Sequence, residues 1–278
     1  MTKLLVTGGS SYLGRHLIPL IPDYFETHYT FFNHDRLNLP KGTHLDLRDK
    51  TAVLNLIDTI QPNVILHLAG SNRSDDMATI IRDGTSNIVI GARRGSVRLI
   101  HLSTDSIFDG LSPPYDESVK PTPVNEYGRV KADAESLVQA HHNNAVIVRT
   151  SLIYGLKEMD HGTRWMSRAL ENNESISLFS NQLRNPIWVE ALSKACIELI
   201  SHDFRGILNI VGNQVLTRAA FAVRMFDYWQ IGNRKLVTIK NSSKNNWPLN
   251  CQLDNQLAKR ILKTPLLGVD EVLSQHSI

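Results

Sequence analysis

From the first residue to about Ser151, short apolar runs alternate with stretches in which apolar side chains recur every three to four positions. The runs Leu4–Thr7, Tyr29–Phe32, Val64–Leu68, Val97–Leu102 and Ala145–Arg149 read as buried strands, and 12–21, 49–60, 76–94 and 124–141 as helices. Strands that are apolar nearly throughout, separated by helical periods, are what a parallel sheet covered on both faces requires. The expected fold class is therefore α/β. Beyond Ser151 the rhythm breaks: Ser175–Phe179, Ile207–Val211 and Leu236–Lys240 read as short strands, with helices near 162–172, 189–202 and 217–229. The expectation is a first domain over 1–153 and a smaller α/β lobe formed mainly by 154–278, with the chain free to cross between them.

Two segments carry chemistry. Thr7-Gly8-Gly9-Ser10-Ser11-Tyr12-Leu13-Gly14 joins the first strand to the first helix. Glycines there let the backbone turn tightly and approach a pyrophosphate on the helix N-terminal amides. Gly8 and Gly14 keep two places of the Gly-x-x-Gly-x-x-Gly variant of this loop, and Ser11 takes the middle one. The other segment is Ser103-Thr104-Asp105 followed, after a proline-rich loop, by Tyr127-Gly128-Arg129-Val130-Lys131. A tyrosine and a lysine four residues apart share one helix face. With a hydroxyl from the strand end, they can move a proton to a carbonyl oxygen: Tyr127 as acid, Lys131 holding its pKa down, Thr104 bonding the same oxygen.

Composition narrows the field without adding to it. A net charge of +3 is too small and scattered for a nucleic-acid surface, and Arg93-Arg94 reads as a solvated helix end. Cys196 and Cys251 are too few and too far apart for a disulfide framework, and the eleven histidines show no ligand spacing, so no metal is expected. No run approaches about eighteen apolar residues and no secretory signal is read, which predicts a cytoplasmic protein without a membrane partner.

In this order the motifs resemble those of the extended short-chain dehydrogenase/reductases, and within them the dTDP-4-dehydrorhamnose reductase family. The matching pieces are Ser103 to Gly110 (STDSIFDG), Pro114-Tyr115-Asp116-Glu117, Pro123 to Lys131 with Glu135, Asp46-Leu47-Arg48-Asp49, Gln61 to Ile65, Arg149 to Gly155, and Leu253-Asp254 with Ala258-Lys259. The resemblance implies a Rossmann-type, doubly wound NAD(P)-binding domain, a smaller nucleotide-sugar lobe, and NAD(P)H-dependent reduction of a nucleotide-linked 4-keto-6-deoxysugar or similar carbonyl. Carried over by position, it makes Thr104, Tyr127 and Lys131 catalytic, with Tyr127 and Lys131 also touching the cofactor. It puts Gly8, Ser11, Tyr12, Leu13 and Gly14 on the pyrophosphate, Asp46 and Leu47 at adenine, and Leu68-Ala69-Gly70 along the ribose and nicotinamide. Asp105, Ser106 and Arg184 are the substrate-side candidates, Arg184 as a guanidinium for the diphosphate or as a solvated loop arginine. Three positions depart from the pattern: Ser106 where many such reductases carry tyrosine, Ile81 where a structural asparagine is common, and Asn181-Gln182 for Asp-Gln.

The cofactor turns on the end of the second strand, Tyr29 to Arg36. An acid facing the adenosine ribose favours NAD, and an arginine accommodates the 2′-phosphate of NADP. Asp35 competes there with His34 and Arg36. Because one arginine–phosphate pair outweighs a carboxylate free to turn to water, NADP(H) is expected over NAD(H), with Arg36 as principal contact. Two alternatives stay open. One is a sugar-nucleotide epimerase, since Ser106 cannot serve as the base a dehydratase needs. The other is a non-catalytic, cofactor-binding regulatory subunit, a role the family fills for methionine adenosyltransferase. A homodimer also stays open.

Overall fold

The computed structural model describes residues 1–70, 76–243 and 247–276. In chain order the elements are β1 (Thr2–Thr7), α1 (Tyr12–Leu17), β2 (Phe25–Phe31), β3 (Gly42–His44), α2 (Lys50–Ile60), β4 (Val64–His67), α3 (Met77–Arg94), β5 (Arg98–Thr104), α4 (Glu126–His141) and β6 (Ala145–Thr150). The second half runs β7 (Ile153–Tyr154), α5 (His161–Glu171), β8 (Ile176–Phe179), β9 (Leu183–Arg184), β10 (Ile187–Trp188), α6 (Val189–Ile200), β11 (Gly206–Asn209), β12 (Leu216–Thr217), α7 (Arg218–Tyr228), β13 (Val237–Lys240), α8 (Gln256–Ile261) and α9 (Val269–Gln275).

Seven parallel strands form the central sheet in the order β11-β6-β5-β4-β1-β2-β3. The strand order reverses beside β1, and in open α/β sheets ligands bind in the crevice at that switch point. Alternation along the strands sorts the core into two layers. Leu4, Val6, Leu66, Ile100, Val146 and Val148 pack toward α1 and α6. Leu5, Ile65, Leu99, Ala145 and Ile147 pack toward α2, α3 and the buried Val138 of α4.

Several expected boundaries move. The first helix stops at Leu17 and tightens into a 3₁₀ turn over Ile18–Leu20, because Pro19 cannot donate a helical hydrogen bond. The second strand begins at Phe25 and ends at Phe31, so residues 32–36 form a loop, not a strand end. The chain also returns to the first layer: α6 packs on α1's side of the sheet and β11 pairs with β6 at its edge. Ile207 and Leu208, read above with the second half, thus belong to the large sheet. The smaller lobe is built on β8–β13, β9–β12 and β7–β10 pairs, with α5 and α7 over the first. Among the described residues no helix is long and apolar enough to cross a membrane.

Candidate active site

The loop after β1 has the geometry its glycines suggested. Gly8 sits at φ +75°, and a Cβ there would come within 2.9 Å of the Ala69 backbone, so only glycine lets the loop lie against the end of β4. Ser11, at the missing glycine's place, caps α1: its Oγ accepts from Gly14 N at 3.0 Å. Leu13 is buried beneath. Tyr12 turns toward the smaller lobe and donates its hydroxyl to Glu158 O at 2.7 Å. Arg15, one turn on, holds the Glu158 carboxylate at 2.8 and 3.1 Å, and Arg164 holds it at 2.7 Å, so the loop's helix is bolted to the start of α5.

In the loop after β2, Asp35 and its neighbours face different ways. Asp35 turns inward, accepting from Tyr29 OH at 2.7 Å, Leu37 N at 3.0 Å and Asn38 N at 3.1 Å. Those bonds hold its carboxyl below the usual range against the opposing effect of burial. His34 and Arg36 stay exposed, and Arg36 N donates to Ser10 Oγ in the glycine loop at 3.3 Å. Asp46 is clamped by Arg48 at 2.7–3.0 Å, and Leu47 is buried against Gly84. Phe32 and His44 stack at 6.0 Å, with Arg48 over the Phe32 ring.

Thr104, Tyr127 and Lys131 come together where β5 meets α4. Asn125 caps α4 through Gly128 N at 2.8 Å. A Cβ at Gly128 would lie 2.1 Å from Ser106 O, so glycine beside Tyr127 lets the helix close onto the strand end. Burial pushes the Tyr127 phenol up to about 12, partly offset by the Thr104 hydroxyl. The tyrosine is thus protonated at neutral pH and poised to donate. The buried Lys131 ammonium donates to Leu102 O at 2.6 Å, and burial lowers its pKa to about 8, opposed by Glu135. Leu68, Ala69 and Gly70 follow β4 alongside, Leu68 buried and the other two half-buried; Gly70 has φ +130°, and a Cβ there would be 3.9 Å from Lys131 Nζ. Side chains this small leave room for a planar ligand ring against the lysine.

On the far side of the triad, Asp105 is a hub. It accepts from Ser151 Oγ at 2.6 Å and pairs with Arg184 at 3.3 Å, while Ser106 stays half-buried beside it. Arg184 is neither solvated nor an open fork. It is buried, donating to Leu183 O, Leu249 O and Pro248 O at 2.6, 3.1 and 2.9 Å, because the short β9–β12 pairing folds it under residues 248–249. The solvated-loop reading is therefore corrected, and these bonds make Arg184 a support for Asp105.

Below Lys131 lies a feature the sequence did not announce. His67 and His101 are register partners on β4 and β5, both fully buried, with ring centroids 5.2 Å apart. His67 bonds Thr7 at 2.6 Å and Thr85 at 3.3 Å, whereas neither ring nitrogen of His101 has a protein partner. Burial first, then the charge of Lys131, lowers His67 to about 3 and pushes His101 well below its ordinary value. A folded-state histidine pKa below the unfolded value near 6.5 means the unfolded chain binds more protons in that window. Stability therefore falls as pH drops below about 6.5, by up to ~1.4 kcal/mol per pH unit per histidine. His101→Leu is expected to remove about half of that slope between roughly pH 6.5 and 5. Urea midpoints across the range check this; an unchanged slope would show that His101 protonates as easily folded as unfolded.

The switch-point crevice, the glycine loop and the Thr–Tyr–Lys cluster sit on one doubly wound α/β fold. The family model described as "RmlD substrate binding domain" matches residues 1–275, and the chain belongs to that family. It is 31% identical to the dTDP-4-keto-6-deoxy-D-glucose reductase of Streptomyces niveus over 216 residues, 74% of this chain and 72% of that one. It is 29% identical to methionine adenosyltransferase 2 subunit beta of Xenopus laevis over 292 aligned positions, 98% of this chain and 87% of that one. Its fold superposes on dTDP-4-dehydrorhamnose reductase of Bacillus anthracis in complex with NADP with a TM-score of 0.83 and 23% identity, covering 99% and 97% of the two chains.

Proposed function

We propose that the protein is an NADPH-dependent reductase of a nucleotide-linked 4-keto-6-deoxysugar. The observation that carries the reading is the protonated Tyr127, whose phenol feels the Thr104 hydroxyl and which lies one helical turn from a buried lysine, at the crevice where the strand order reverses. The residues fit a nicotinamide dinucleotide: the Gly8 turn admits a pyrophosphate, Gly70 sets no side chain against Lys131 Nζ, where a ribose hydroxyl would bind, and Arg36 is open to a 2′-phosphate. The bound cofactor would supply hydride to the keto carbon. As negative charge grows on the substrate oxygen, the Tyr127 O–H donates its proton to it, Thr104 steadies the same oxygen, and the Lys131 ammonium favours the tyrosinate left behind. The test is oxidation of NADPH, followed at its absorbance band, with dTDP-4-keto-6-deoxy-D-glucose and other keto sugars.

The cofactor preference has its own test. With Asp35 committed inward, Arg36→Ala is expected to reduce kcat/KM for NADPH by about 10-fold or more and leave NADH nearly unchanged. A clear NADH preference in the parent protein would overturn the assignment. A second reading, a non-catalytic subunit, is favoured by the near full-length match to methionine adenosyltransferase 2 subunit beta. A stoichiometric complex together with no turnover on any keto sugar would select it.

A further inference from the structure

Arg218, which no sequence pattern singled out, starts α7 beside the strand that carries Arg184. It opens α7 directly after β12, whose Leu216 and Thr217 pair with Arg184 and Leu183 of β9. Its backbone N–H donates to Gln182 O at 2.8 Å, fixing where the side chain starts. Thr217 caps the helix through Ala220 N at 3.0 Å, so the turn is rigid. The charges that act on the guanidinium are those of Arg184, Asp105 and Asp160. Both carboxylates are already committed. Asp105 is taken by Ser151 and Arg184. Asp160 caps α5, accepting from Gly162 N, Thr163 N and Thr163 Oγ1 at 2.7, 3.1 and 2.5 Å. Among the described residues no side chain hydrogen-bonds or ion-pairs with the Arg218 guanidinium, although it retains outer surface open to solvent.

We infer that Arg218 is the diphosphate-binding residue of the substrate lobe, forking onto a nucleoside diphosphate laid across the cleft from Tyr127. This deepens the nucleotide-sugar reading above and depends on it. A guanidinium carries five N–H donors in a planar fork that matches phosphate oxygens two at a time. Arg218 has that fork unspent, beside the Asp105 hub that adjoins Thr104. Its neighbour Arg184 has spent its own on three backbone carbonyls and Asp105. The surrounding protein, and then Arg184, push the Arg218 pKa down, against the opposing pull of Asp105 and Asp160.

The experiment is calorimetric titration of dTDP and UDP into the protein saturated with NADP, which keeps the probes out of the cofactor's own phosphate site. Arg218→Ala is expected to weaken the bound diphosphate by about 10- to 100-fold and to leave NADP affinity within about twofold. Arg218→Lys should recover only part, because a point charge cannot fork. Unchanged dTDP and UDP binding in Arg218→Ala would overturn the inference while the nucleotide-sugar reading stands. A matching loss of NADP affinity would overturn it too, showing that the lobe had moved. Absence of dTDP and UDP binding in the parent protein would remove the nucleotide-sugar reading itself, and this site with it.

Discussion

Tyr127→Phe is expected to lower kcat by about 10²- to 10⁴-fold while NADPH affinity stays within about twofold. The ring packs where it is because Gly128 lets α4 close onto Ser106, and phenylalanine keeps that packing. Only the hydroxyl is lost, and with it the group of the cluster that is held protonated at neutral pH and feels the Thr104 hydroxyl. Lys131 cannot replace it as acid without changing course, since its ammonium is engaged with Leu102 O. Thr104 is a far weaker acid, and its Oγ already accepts from Ser106 N at 3.2 Å. Single-turnover kinetics with NADPH and a keto sugar read the chemical step directly. Retention of more than about a tenth of kcat would remove Tyr127 as proton donor.

What the sequence made legible follows from the range of the forces involved. The sheet and its helices are written in local periodicity, so five central strands and the helices over them were readable. The Gly8 loop and the Tyr127–Lys131 pair are likewise local, fixed by spacings of a few residues. The edges of the second lobe were not readable, because β7, β9, β10 and β12 are two residues each and exist only through their partners. The same cause hid the fate of the two arginines. Arg184 looked available until β9 folded it under residues 248–249, some 65 positions later, and Arg218 lay unremarked within the helix read near 217–229. Asp35 differs again: its partners lie within six residues, and the Tyr29 hydroxyl and two following amides could have been read as a turn that captures the carboxylate. The His67–His101 pair needed the register of β4 on β5, which no single strand carries.

Glu135→Gln is expected to destabilise the protein by about 3–5 kcal/mol, the usual cost of stranding one partner of a buried ion pair. Glu135 and Arg149 are each only 1% exposed and are joined at 2.9–3.2 Å, with Ser103 Oγ donating to the same carboxylate at 2.5 Å. Glutamine keeps the shape but leaves the Arg149 guanidinium, lying 5.2 Å over the Phe108 ring, without its counter-charge. Replacing both partners by apolar residues, Glu135→Leu with Arg149→Met, is expected to recover most of the loss, because neither charge then needs desolvating. Urea midpoints of the single and double variants measure this, and an equal loss in the double variant would mean shape, not charge, sets the cost. The pair also reaches the chemistry. Glu135 lies one turn beyond Lys131 on α4 and opposes the burial that lowers that lysine to about 8. Without its charge the Lys131 pKa falls further. The lysine then loses its proton, and its hold on the tyrosinate, at lower pH. The alkaline limb of kcat in the folded fraction of Glu135→Gln should therefore move toward neutrality. A limb that stays in place would confine Glu135 to holding α4 against β5 and β6.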